Sequence, residues 1–235
     1  MARFARVSLL LVGMGLLLGT VAFANVPDPV NSQVRIQFNA TSTIVEPVHI
    51  VNVPDNDVAP QNRCELEVTV KDAAGNLINN STVFVIFSKA VTDTLCWCTT
   101  QNQGNTVLGD GRREFHANTN ASGIAEFQIS AGGCVDAVGG VVIRAGSPGN
   151  ADVNAALQLR AYNVVSSMDN TGAGAICDHT VNANDLVQYA IAHTGGPYST
   201  CHDYTGDGLV NANDLVLYAQ HHTRGAVCTG TGPKW

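Results

Sequence analysis

Between Gln33 and Ala161 the chain alternates polar and apolar residues in short runs. Gln33–Phe38 alternates throughout, and Glu65–Lys71 does the same with Leu66, Val68 and Val70 on one face. A period of two is that of a half-buried strand. Val83–Phe87 is apolar at every position, the pattern of a central strand. Ile44–Val53, Ile124–Ile129, Val141–Arg144 and Ala155–Ala161 supply further strands. Asp72–Asn76 and Asn118–Gly123 read as turns, because Gly and Asn tolerate positive φ. Seven or eight short strands with no convincing helix predict a two-sheet sandwich. Asp93–Gly111 breaks the rhythm and reads as a long loop or an extra hairpin.

A different apolar run, Val7–Phe23, follows Arg3 and Arg6 and ends in Ala22-Phe23-Ala24. That is the plan of a secretory signal peptide with a small-x-small cleavage site. Gly13, Gly15 and Gly19 interrupt it and no basic stop-transfer cluster follows, which argues against a membrane anchor. No other stretch is long and apolar enough to span a bilayer, so no stable membrane insertion is expected. Export places the mature start near Asn25 and leaves 211 residues. Without Arg3 and Arg6 the mature chain carries 10 basic and 19 acidic residues, a net charge near −9. Such a balance disfavours nucleic acid and anionic lipid as partners. All seven cysteines (Cys64, Cys96, Cys98, Cys134, Cys177, Cys201 and Cys228) lie in this part. In an exported chain they predict disulfides rather than a metal site or redox pair, with at least one thiol unpaired or bonded to another chain and the connectivity open. Cys96 and Cys98 point to one face of a strand, so each needs a partner elsewhere.

The stretches Val68–Asn76, Val83–Phe87 and Thr119–Phe127 resemble bacterial Ig-like repeats of invasin-type surface proteins. The resemblance covers about 100 residues and implies an Ig-like β-sandwich over 25–165. Ser166–Gly174 is polar and Gly-containing, and 166–175 reads as a linker. Beyond it Val181-Asn-Ala-Asn-Asp-Leu-Val187 recurs unchanged as Val210–Val216, offset by 29 residues. The match extends through Tyr189/Tyr218, Ala190/Ala219, His193/His222 and Thr194/Thr223, which marks a duplicated loop–helix unit.

The second copy fits the plan of a calcium loop. Asp203, Thr205 and Asp207 fall at positions 1, 3 and 5, and Gly208 at the turn position 6. Leu209 offers its carbonyl at position 7, Asn211 stands at position 9 and Asp214 closes the loop at position 12. Calcium takes six to eight oxygens at about 2.3–2.6 Å, and clustered carboxylates repel one another without it. Residues 166–235 hold six Asp and no Glu against Arg224 and Lys234. Asp214–His221 should be helical, with Leu215, Tyr218, Ala219 and His222 on one face. Asn211 and Asp214 also have capping-box spacing.

Asp at position 12, one helix after each loop and the near-repeat resemble dockerins, over about residues 170–228. The resemblance implies a small domain over 176–235 that binds Ca2+ and docks a cohesin-like module. The fold class expected is therefore mostly β: an Ig-like β-sandwich followed by a small α-helical dockerin-like domain with two loop–helix, EF-hand-like repeats. It further implies partner contacts at Ala183, Asn184, Ala212 and Asn213, just after the ninth loop position. The first copy departs from the pattern, since Gly174 and Ile176 take positions 1 and 3. Asp178, Asn182 and Asp185 remain as ligands for a possible second Ca2+, with Asp169 or Asn170 folding back through an enlarged loop. Cys177 is a candidate staple to Cys201 or Cys228.

No nucleophile or zinc-protease motif is present, and His193, His221 and His222 read as helix-end residues beside the negative dipole end. Trp97 reads as packing near disulfides rather than as a sugar platform. The expectation is a secreted, non-catalytic interaction protein that assembles with a cohesin-like module or with copies of itself. A carbohydrate-binding accessory of a polysaccharide-degrading system and a filament subunit are the alternatives.

Overall fold

The computed structural model describes residues 25–37, 43–47, 49–52, 65–98, 104–170, 177–178, 180–195 and 199–223. In chain order the described elements are β1 (Gln33–Gln37), β2 (Thr43–Val45), β3 (Ile50–Asn52), β4 (Glu65–Thr69), β5 (Thr82–Phe87), α1 (Lys89–Thr94), β6 (Cys96–Trp97), β7 (Gly104–Val107), β8 (Arg113–Asn118), β9 (Ile124–Phe127), β10 (Ala131–Gly132), β11 (Val135–Ala145), β12 (Leu157–Ser167), α2 (Ala183–His193) and α3 (Ala212–Thr223). The strands form a four-stranded sheet in the order β2-β1-β4-β9, a six-stranded sheet β3-β12-β11-β5-β8-β7 and a two-stranded ribbon β10-β6. Val34, Ile36, Leu66, Val68 and Phe127 of the first sheet share a core with Val83, Val85, Phe87, Phe115 and Ile143 of the second. The alternation written in the sequence thus sends one side of each strand inward.

The turns form where Gly and Asn were placed. Asp72 Oδ1 accepts the amides of Ala74 and Asn76 at 2.9 Å each, closing the first. Asn120 Oδ1 accepts from Ser122 and Ile124 at 2.8 and 3.2 Å, closing the second. The described residues of Asp93–Gly111 form the end of α1, β6 and β7, which pairs with β8, so the stretch expected without a helix contains one. Its six residues are too few to show a helical period; the Ser88 cap and the Lys89–Asp93 pair at i,i+4 hold it instead.

The C-terminal part is a correction. An Ig-like sandwich followed by a small α-helical dockerin-like domain with two loop–helix repeats is not what the structure shows. The chain is mostly β with three described helices, and the C-terminal helices join the sheet core. Val181, Tyr189, Tyr204, Leu217 and Tyr218 belong to the same buried cluster as Phe87 and Phe127. Ser166 and Ser167, expected in a linker, complete β12, and Ser166–Asn170 are buried throughout. Two disulfides cross from the strands to the C-terminal segment: Cys96–Cys177, with Cα atoms 6.2 Å apart, and Cys134–Cys201, at 5.7 Å. Cys177 is therefore stapled to β6 and not to Cys201 or Cys228. Cys98 is also disulfide-bonded, while Cys64 and Cys228 lie outside the described residues, as do residues 1–24. Gly132 allows the close approach: a Cβ there would stand 2.2 Å from Asp169 Oδ2 and 2.6 Å from Cys177 Cβ.

Candidate metal centre

The second loop hangs from buried aromatic residues. Tyr204 is fully buried and stacks on Tyr189, which also stacks on Tyr218. The Tyr189 hydroxyl donates to the Asn211 carbonyl, and the Tyr218 hydroxyl donates to the Asn182 carbonyl. Each helix thus holds the backbone that starts the other. Within the loop, Asp203 Oδ1 accepts from the Asp207 amide at 3.1 Å and Oδ2 from the Gly208 amide at 2.8 Å. Gly208 sits at φ +84°, the left-handed turn that position 6 requires. Asp214 Oδ1 accepts from the Thr205 amide at 2.8 Å and from Thr205 Oγ1 at 3.0 Å; its Oδ2 accepts from the Asn211 amide at 2.8 Å.

These bonds bring Asp203, Asp207 and Asp214 together, with one carboxylate oxygen from each inside a 4.8 Å span. Asp203 and Asp214 are fully buried and Asp207 is exposed. Like charges at that separation in a desolvated site are costly unless a cation or a proton neutralises them. Burial, reinforced by the nearby Asp203, raises the Asp214 carboxyl, while its three hydrogen bonds oppose that rise. Hard carboxylate oxygens and the Thr205 hydroxyl beside them fit calcium's preference. The donor set contains no sulfur or ring nitrogen of the kind that zinc and copper select.

His49, just before β3, is a neighbour that the sequence gave no reason to expect. The parallel pairing of β3 with β12 sets Ile50 beside Val165 and carries His49 against the Asp203 main chain. It is buried, and desolvation lowers its pKa despite Asp203 and Asp214.

The first loop reproduces part of this bonding by another route. Asp178 Oδ2 accepts from Asn182 Nδ2 at 2.9 Å, as Asp207 does from Asn211 Nδ2 at 3.0 Å. Asp185 accepts from the Asn182 and Asn170 amides at 2.8 Å each, matching Asp214. The role of Asp203 falls to Asp169 at the end of β12, whose Oδ1 accepts from the Asp178 amide at 3.1 Å. The loop is therefore not a contiguous twelve-residue one, and Gly174 and Ile176 lie outside the described residues. Among the described residues, Asp203, Asp207 and Asp214 are the group of acids close enough to share one ion; Asp178 and Asp185 are not in it.

The helix starts expose matched surfaces. Ala183, Asn184, Leu186 and Val187 are exposed, as are Ala212, Asn213, Leu215 and Val216. The buried line of α3 runs through Asp214, Leu217, Tyr218 and His221, a helical i, i+3, i+4, i+7 stripe. Leu215, expected inside, is 37% exposed. The inward-facing Asp214, held by the Thr205 and Asn211 amides, sets the helix phase and turns Leu215 outward. His221 is fully buried, whereas His193 stacks on Tyr189 and His222 on Tyr218. Trp97 is buried between Phe87 and Phe115, with the Arg113 guanidinium 4.4 Å from its ring.

Burial pushes Asp185 up to about 6 from 3.8. Between these values the folded chain binds more protons than the unfolded one, so this group makes stability fall as pH rises. Buried His49 and His202, both lowered from 6.5, act in the opposite direction. In chelator, Asp185→Asn should therefore make the slope of melting temperature against pH more positive between about pH 4 and 6. Melting curves with the wild-type slope would contradict this assignment.

Comparison with protein-family models, curated proteins and solved structures finds no match.

Proposed function

We propose that this chain is a secreted, non-catalytic interaction protein in which calcium at Asp203–Asp214 fixes a docking surface for a cohesin-like partner. The convergence of Asp203, Asp207 and Asp214 carries the reading, because three like charges at that spacing, two of them buried, call for a cation. The three carboxylates, the Thr205 hydroxyl and the Leu209 carbonyl would hold it, with Asn211 at the position where water often intervenes. Bound calcium supplies charge neutralisation and rigidity. Asp214 both closes the loop and opens α3, so the ion orders the helix that presents Ala212, Asn213, Leu215 and Val216. The matching exposed set on α2 extends that surface. Signal-like residues 1–24 and the disulfides support export.

Retention by an immobilised cohesin-like module should require calcium and should be lost in Val187→Asp with Val216→Asp. Equal retention in chelator would refute the calcium-dependent surface. Retention on insoluble polysaccharide instead would support the accessory-protein alternative, and calcium-induced polymers seen by electron microscopy would support a filament.

A further inference from the structure

The outward face of the six-stranded sheet holds a half-open cavity of about 210 Å³, lined by Ile86, Ser88, Arg112, Gly139, Val142 and Arg144. Ile86 and Val142 are cross-strand neighbours and make an apolar floor. Arg112 and Arg144 complete its lining with two guanidinium side chains. Arg144 Nη1 donates to the Val153 carbonyl at 3.2 Å, and its buried Nε has no acceptor. Arg112 Nε is held by Asp110 at 2.7 Å, which leaves its Nη groups for another acceptor. Lys89 adds a third cation nearby, with its Cδ 3.0 Å from where a Gly111 Cβ would be.

The net charge is −7, and among the described residues Arg35 lies against Glu67, Lys89 against Asp93, Arg112 against Asp110 and Arg160 against Glu46. Arg144 has no such partner among the described residues. Glu114 pairs with Ile86 on its other side, where its Oε1 lies 3.7 Å from His116 Nδ1, and it does not line the cavity. Two guanidiniums and an aliphatic floor match one anionic group on a ring with an apolar face. The volume is below the roughly 300–1,000 Å³ of pockets for drug-sized ligands, so it suits one small ring.

We propose that this cavity is a binding site for an acidic sugar unit, its carboxylate or sulfate held between Arg112 and Arg144 and its ring face on Ile86 and Val142. The site is separate from the calcium loop and does not depend on it. The test is an amide-resolved NMR titration of the full oxidised chain with galacturonic acid, galactose 6-sulfate and neutral galactose. Saturable shifts at Ile86, Gly139 and Val142 are expected with an anionic sugar and not with galactose; the two anionic arms separate carboxylate from sulfate. Arg144→Gln, and separately Arg112→Gln, should each weaken binding at least about tenfold with the remaining spectrum unchanged. Three results would overturn the proposal: no saturable shift with either anion at millimolar concentration, equal shifts with galactose, or wild-type affinity in both variants.

Discussion

Asp203→Ala combined with Asp207→Ala should abolish saturable calcium binding and leave the strands folded. Asp203 is fully buried and accepts the Asp207 and Gly208 amides, while Asp207 accepts the Leu209 amide at 2.9 Å. The variant loses two of the three clustered carboxylates and also strips these donors. The freed amides of Asp207, Gly208 and Leu209 lie on exposed residues that water can reach, and removing two clustered carboxylates relieves their repulsion, so calcium-free stability should change by no more than about 1–2 kcal/mol. The wild type should gain about 2.7 kcal/mol when calcium is at 100 times its dissociation constant, and the variant should gain none. Far-ultraviolet circular dichroism should retain its β signature, because Val83–Phe87 and Phe115–Phe127 pack without either aspartate. A double variant that still binds calcium with wild-type affinity would show that the ligands lie elsewhere.

The other large effect is expected from Cys96→Ser with Cys177→Ser. This disulfide closes a loop with a sequence separation of 81 residues, and Cys134–Cys201 one of 67. Cross-links over such lengths stabilise by about 4–5 kcal/mol through the entropy of the unfolded chain, and removing native ones costs about 2–5 kcal/mol. For a chain of this size that corresponds to a melting temperature lower by roughly 10 °C. Cys177 also precedes Asp178 and lies under Gly132, so the variant should loosen the first loop against the ribbon. Calorimetry showing a drop of less than about 2 °C would mean that buried packing alone holds this segment in place.

Both effects fall on the part of the fold that local sequence pattern described least well. Strands were legible where the alternation is long, because a period of two follows from the pleat: Leu66, Val68 and Val70 are buried as their spacing implies, whereas β6 and β10 are too short to show it and 44–53 divides between β2 and β3 of different sheets. The turns at Asp72 and Asn120 were legible because short polar side chains close them locally. The convergence of Asp203, Asp207 and Asp214 was legible because the three acids lie within twelve positions of one another. What was not legible depends on contacts distant in sequence. Asp169 takes its place through the end of β12 and a glycine nearly forty residues earlier, Gly132. His49 reaches Asp203 only because β3 runs parallel to β12. The helix face was predicted from hydrophobicity with Leu215 inside, but Asp214, anchored by the loop, fixes the rotation and buries Leu217. A separate helical domain was expected because the duplication looks self-sufficient. Tyr189, Tyr204 and Tyr218 share the strands' core instead, and cysteine spacing carries no sign of which strands the staples reach.

The central claim is that Asp203–Asp214 is a calcium loop. Isothermal titration of calcium into the chelator-stripped, oxidised protein tests it most directly. Saturable binding of one ion per chain, lost in Asp203→Ala with Asp207→Ala, is the predicted result. Absence of saturable binding at millimolar calcium would contradict it.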